Sequence, residues 1–124
     1  MEETEWGFDD PWPTVDHALE AAAVVAGKAR ELYGDELVEV LLYGSRARGD
    51  HCPESDLDIL LVKKAATPRR DPFREQLGDF VHVHLATRSS SWCLVSLYES
   101  TVEQVRTWDT TFYRNVRADA IEVP

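Results

Sequence analysis

The stretch Val40–Val62, VLLYGSRARGDHCPESDLDILLV, decides how this chain is read. The run LVEVLLYG over 37–44 is rich in Leu and Val and stops at a glycine, which predicts a buried strand. After the loop SRARGDHCPES, the run DLDILLV over 56–62 opens with acids and continues as core, which predicts a second strand. Residues two apart in a strand leave the same face, so Asp56 and Asp58 stand side by side while Leu57 points into the core behind them. Paired carboxylates repel unless a cation lies between them. Hard oxygen ligands of this kind suit Mg²⁺, and a bridging pair can hold two ions. Gly44 lets the backbone approach an anion closely, and Ser45 offers N–H and hydroxyl donors. Arg46 and Arg48 are near enough in the chain to contact phosphates or to neutralise the acids. An isolated Asp-x-Asp is more often a solvated strand edge, and a lone Gly-Ser turn is weaker still. Both together, at the facing ends of consecutive strands, point to a nucleoside-triphosphate site.

Working outward, Thr14 is an N-cap candidate, Asp16 falls in a first turn, and Val15, Leu19, Ala22, Ala26 and Ala29 recur at helical spacing up to Gly34, a C-terminal glycine cap. Residues 65–72 read as a turn. Phe73, Leu77, Phe80, Val81, His84 and Leu85 predict a helix over 72–87, although FVHVHL taken alone alternates like a strand. WCLVSLY (92–98) reads as a third strand and residues 100–119 as helical. The order helix, strand, strand, helix, strand, helix is a small α/β arrangement. The expected division is an acidic, aromatic arm over 1–13, carrying Trp6, Phe8 and Trp12, and one domain over 14–124.

Length and charge bound the function. A chain of 124 residues leaves room for one core. Its 23 acids against 13 Lys and Arg give a net charge of -10, a field that repels polyanions and disfavours nucleic acid as a partner. The charge is uneven: residues 1–27 carry acids and no Lys or Arg, whereas Lys63, Lys64, Arg69, Arg70 and Arg74 cluster around one acid. An anion site must therefore be local, built from Arg46 and Arg48 with Lys63 and Lys64 as further candidates. No run approaches the ~20 apolar residues that span a bilayer, and the first residues are acidic rather than basic and apolar, so the expectation is a cytoplasmic protein without a membrane span. Cys52 and Cys93 form no metal-ligand spacing and are expected to be reduced. Neither a G-x-x-x-x-G-K-[ST] loop nor a G-x-G-x-x-G fingerprint occurs, and Arg48-Gly49-Asp50 is incidental.

A strand, then Gly-Ser followed by Arg-x-Arg-Gly, then Ser-Asp-x-Asp opening the next strand resembles the minimal nucleotidyltransferases of the DNA polymerase beta superfamily. Gly44, Ser45, Arg46, Arg48, Gly49, Ser55, Asp56 and Asp58 all match, and the helix ending ELYG and the segment FYRNVRADAI are similar too. The resemblance implies a small nucleotidyltransferase fold, with a mixed three- to four-stranded sheet flanked by helices. It implies an enzyme that uses Mg²⁺, two ions in all, to move a nucleoside monophosphate from ATP or another NTP to an acceptor. By the same resemblance Asp56 and Asp58 are the catalytic metal ligands, and Gly44 and Ser45 hold the β and γ phosphates. Ser55, Arg46 and Arg48 complete the nucleotide site, with phosphate contact and structural pairing both open for the arginines. Such proteins resemble the antitoxin halves of toxin-antitoxin pairs whose partner is a small helical HEPN-type protein, so a protein partner, a homo-oligomer, or both are expected.

One departure stands out. Active members usually carry a third carboxylate on the next sheet strand, and residues 80–98 contain neither Asp nor Glu. If WCLVSLY is that strand, Cys93 or Ser96 takes the position; if FVHVHL is, His82 or His84 does. Asp79 and Glu99 flank the gap and could serve only with a shifted register. A second class therefore stays in view: a catalytically impaired module that keeps the fold and neutralises or scaffolds a helical partner.

Overall fold

A computed structural model describes residues 10–66, 68–85 and 94–124. Helix α1 (Val15–Tyr33) starts where Thr14 Oγ1 accepts the His17 N–H at 3.1 Å, and stops at Gly34, whose φ of 56° suits glycine. Its buried face is mostly alanine (Ala18, Ala21, Ala22, Ala26, Ala29) with Val25, so the helix can lie close against a sheet. A 3₁₀ turn (Gly34–Glu36) leads into β1 (Leu37–Tyr43). A four-residue helix, α2 (Ser45–Arg48), begins the loop, and β2 (Leu57–Lys63) follows antiparallel to β1. Helix α3 (Pro72–His84), capped by Asp71 with Pro72 in its first turn, crosses to β3 (Val95–Thr101), which runs parallel to β2. The chain closes with α4 (Val102–Thr107), α5 (Thr111–Asp119) and β4 (Ile121–Glu122), which pairs antiparallel with β1. The four-stranded mixed sheet has the order β3-β2-β1-β4.

Strand alternation divides the core in two. Val40, Leu42, Leu57, Ile59 and Leu61 pack against α1 and the α3 residues Leu77 and Val81. On the other face Leu41, Leu60 and Val62 pack against Val105 of α4 and Tyr113 and Val116 of α5. Being covered on both sides, β2 is apolar at successive positions, which is why DLDILLV does not alternate beyond its acids.

The architecture is the expected one, with local corrections. FVHVHL belongs to α3, where the 3.6-residue period of the longer segment overrides its local alternation; His84 Nδ1 bonds the Phe80 carbonyl oxygen at 3.0 Å and its ring stacks on Phe80. The third strand, Val95–Thr101, runs past Tyr98, and Thr101 both ends it and caps α4 through a capping box with Gln104. The segment expected to be helical over 100–119 ends β3 at Thr101 and then forms two helices, since Thr110 caps a second one by accepting the Tyr113 N–H. The readings of Trp6, Phe8, Trp92 and Cys93 lie outside the described residues. Cys52 is exposed.

Candidate active site

The turn from β1 into α2 brings the two halves of the motif together. Gly44 has φ 78°, and a Cβ there would fall onto Asp58 Oδ2, so glycine is required both for the backbone and for the space. Tyr43 pairs with Asp58 across β1 and β2, and Asp58 pairs with Ser96 across β2 and β3. Tyr43, Asp58 and Ser96 therefore form one row across the face that carries α4 and α5. Asp56 lies exposed just ahead of β2, and Leu57 between the two acids is fully buried. Burial, then the charge of Asp56, pushes the Asp58 carboxyl up to about 6, against an opposing pull from Arg46 and Arg48. Burial, then Asp58, raises the Tyr43 phenol to about 12, while a hydrogen bond with Ser96 works the other way.

Arg46 is wholly buried. Its Nε donates to Ser55 O at 2.9 Å, and its terminal nitrogens donate to Trp12 O (2.6 Å), Pro53 O (3.2 Å) and, more loosely, Cys52 O (3.4 Å). It also pairs with Asp10 at 2.9 Å and lies 5.1 Å from the centre of the Trp12 ring. Of the two roles open to it, these contacts are the structural one: they pull the loop before Asp56 onto α2 and strap residues 10–13 over both. His51 adds to the strap through Nε2, 3.0 Å from Pro13 O. Ser55 shapes the same loop, its Oγ accepting the Cys52 N–H at 2.9 Å. Arg48 is partly exposed, 3.2 Å from Asp50 and 3.8 Å from Asp119.

The lysine candidates lie elsewhere. Lys63 is at the far end of β2, about 17 Å along the strand from Asp58 and on the opposite face. There its ammonium meets Glu99 at 3.2 Å and the Tyr33 ring centroid at 3.7 Å. Glu99 is engaged by Arg74 through both oxygens at 3.0 Å. Burial raises the Glu99 carboxyl, but the Arg74 hydrogen bonds and the Lys63 charge outweigh it and hold the group below its usual value. Its side chain faces α3, so neither Glu99 nor the exposed helical Asp79 reaches the acid pair; Ser96 holds the place beside Asp58. Among the described residues no group of three or more His, Cys, Asp and Glu could hold a metal ion. What remains is a two-carboxylate donor set: hard oxygens, close enough to repel, beside a glycine turn. That set fits a divalent cation whose other positions are filled by water and phosphate.

The family profile described as nucleotidyltransferase domain matches residues 24–116. This chain belongs to that family. A relative from Methanocaldococcus jannaschii, named "putative protein adenylyltransferase", is 37% identical over 54 residues, spanning 44% of this chain and 37% of the relative. The chain thus matches little more than a third of that protein's length. Among solved structures, one described as a toxin-antitoxin with AMP-PNP has a TM-score of 0.53 at 19% identity, covering 82% of this chain and 72% of that one, a likeness of fold. A structure from Sulfolobus solfataricus described as a "putative nucleotidyltransferase" has a TM-score of 0.48 at 21% identity, covering 87% and 80%.

Two features of this nucleotidyltransferase-family site escape sequence reading. Asp10 and Trp12 support Arg46 from more than thirty positions away in the chain. Tyr43, Tyr98 and Phe112 meet beside Asp58 from three separate elements. Neither grouping has a spacing signal: residues 10–13 lying over α2 assemble the first, and the sheet register with the packing of α5 assembles the second. No helix of the described residues is long and apolar enough to cross a membrane.

Proposed function

We propose that this chain transfers a nucleoside monophosphate, AMP from ATP, to a hydroxyl on a partner protein, with Mg²⁺ held by Asp56 and Asp58. The observation that carries this reading is the contact between the glycine turn and the acid: Gly44 leaves no room for a side chain because the Asp58 carboxylate lies there. A phosphate approached by the Gly44-Ser45 turn would lie next to the acid pair. Mg²⁺ bound at the pair would neutralise the triphosphate and the charge that develops as pyrophosphate departs. Ser45 and the partly exposed Arg48 contact the β and γ phosphates, and Ser55 and Arg46 keep the loop that aims Asp56. In the transfer the acceptor oxygen bonds to the α-phosphorus, the bond from that phosphorus to the oxygen bridging the β-phosphate breaks, and pyrophosphate leaves. The acceptor's proton passes to water. Residues 14–124 form the catalytic domain in this reading, with Trp12 of the 1–13 arm seated on it. The net charge of -10 favours a basic protein acceptor over nucleic acid.

The test is label transfer from α-labelled ATP with Mg²⁺ to the product of the adjacent gene. Transfer that disappears in Asp56→Ala supports the reading; no transfer, or transfer indifferent to Asp56→Ala, refutes it. A second reading, a catalytically impaired partner-binding module, is favoured by Ser96 standing beside Asp58 where a carboxylate would complete the donor set. It requires that Asp58→Asn leave partner binding intact while no transfer occurs in either protein.

A further inference from the structure

Beside the acid pair lies an aromatic wall that the transfer chemistry does not use. Tyr43 and Tyr98 both contact the Phe112 ring in edge-to-face geometry, with centroids 5.5 and 5.3 Å apart. Tyr98 is two residues beyond Ser96 on the same face of the sheet, which places it about 8 Å from the Asp58 position. It is 49% exposed on the edge strand β3. The brace itself is firm. Helix α5 is capped by Thr110, and Arg117 ties it to Val105 O at 2.6 Å and Trp108 O at 3.0 Å. Phe112 is thus held in place, and Tyr98 is oriented before anything binds, so little ordering entropy remains to be lost on stacking.

A nucleotide is an anion at one end and a flat aromatic ring at the other. The site has the same polarity, with Asp56, Asp58, Ser45 and Arg48 at one end and Tyr98 on Phe112 at the other. We infer that Tyr98 is the stacking surface for the base of the bound nucleotide, an inference that rests on the nucleotidyl-transfer reading above. Stacking on an aromatic side chain tolerates any base, since every base has a π face, and is strongest for purines. The ring therefore favours a purine triphosphate without reading its edge.

The experiment compares Mg²⁺-ATP with Mg²⁺-triphosphate, which lacks a base, as ligands in titration calorimetry. The proteins are the full chain, Tyr98→Ala and Tyr98→Phe, with melting temperatures measured in parallel. The expected result is ATP affinity about ten-fold weaker in Tyr98→Ala, equivalent to about 1.4 kcal/mol. Triphosphate affinity should stay within two-fold, and Tyr98→Phe should match the parent. ATP affinity unchanged in Tyr98→Ala overturns the inference. So does an equal loss for ATP and triphosphate, which would make Tyr98 a support for the acid pair, or a rise in the KM for the acceptor alone, which would give the ring to the acceptor. Failure of the unaltered chain to bind either ligand would remove the nucleotidyl-transfer reading along with it.

Discussion

Replacing Asp58 by Asn should stabilise the metal-free protein at neutral pH while abolishing transfer. The carboxyl sits half-buried beneath Gly44 and beside Asp56, and its pKa rises from 3.8 to about 6. Two pH units correspond to about 2.7 kcal/mol. Because the group is half open to solvent, screening reduces this to ~1–2 kcal/mol. The sign follows from proton binding. Well below pH 3.8 the carboxyl is protonated in the folded and unfolded chains alike, and the penalty is absent. Between pH 4 and 6 the unfolded chain loses its proton first, so stability falls as pH rises, and above 6 the full penalty remains. At ~3–5 °C per kcal/mol for a domain of this size, Asp58→Asn should melt roughly 3–10 °C higher at pH 7.5 in chelator, with the difference closing towards pH 4. Millimolar Mg²⁺ should narrow the gap by stabilising the unaltered chain alone, since bound ligand favours the folded state by mass action. Scanning calorimetry from pH 4 to 8, with and without Mg²⁺, measures all of this. An Asn variant that melts at or below the parent at pH 7.5 in chelator would show that Asp58 is comfortably solvated or paired, and the reasoning would fail.

Three other perturbations separate the parts of the site. Gly44→Ala combines a positive φ with overlap on Asp58; we expect at least ~2 kcal/mol of lost stability in denaturant titration and no transfer. Arg46→Met leaves the carbonyls of Trp12 and Ser55 and the Asp10 carboxylate without their donor, for a loss of ~3–5 kcal/mol, and Arg46→Lys should not restore it because an ammonium cannot span the same acceptors. Glu99→Gln weakens the contacts with Lys63 and Arg74 at a cost of ~1–3 kcal/mol, yet should leave specific activity unchanged because Glu99 faces α3; a large fall in kcat at full folding would return Glu99 to the site.

Much of the fold was legible because its signals are local. Thr14 and Gly34 bracket α1, the alanine face of that helix is periodic, and the apolar run of β2 announces a strand buried on both sides. The nearness of Asp56 and Asp58 was legible for the same reason, since they lie two positions apart at the entry to β2. The end of β3 and the break between α4 and α5 were not, because they depend on the Thr101 and Thr110 caps rather than on hydrophobic period. Lys63 misled through proximity in sequence. A strand of seven residues carried it to the other end and the other face, where Glu99 and Tyr33 neutralise and cover it.

By itself the sequence determined most of the elements and the residues at their junction: a glycine turn, two acids two positions apart, and an overall charge hostile to polyanions. Those depend on backbone stereochemistry and on residues a few positions apart. Tertiary structure alone decided which charges work together. It buried Arg46 under Trp12, sent Glu99 to the far face, set Ser96 beside Asp58, and gathered Tyr43, Tyr98 and Phe112 next to the acids. Each of those outcomes depends on strand register and helix packing between residues far apart in the chain, where no local spacing carries the information.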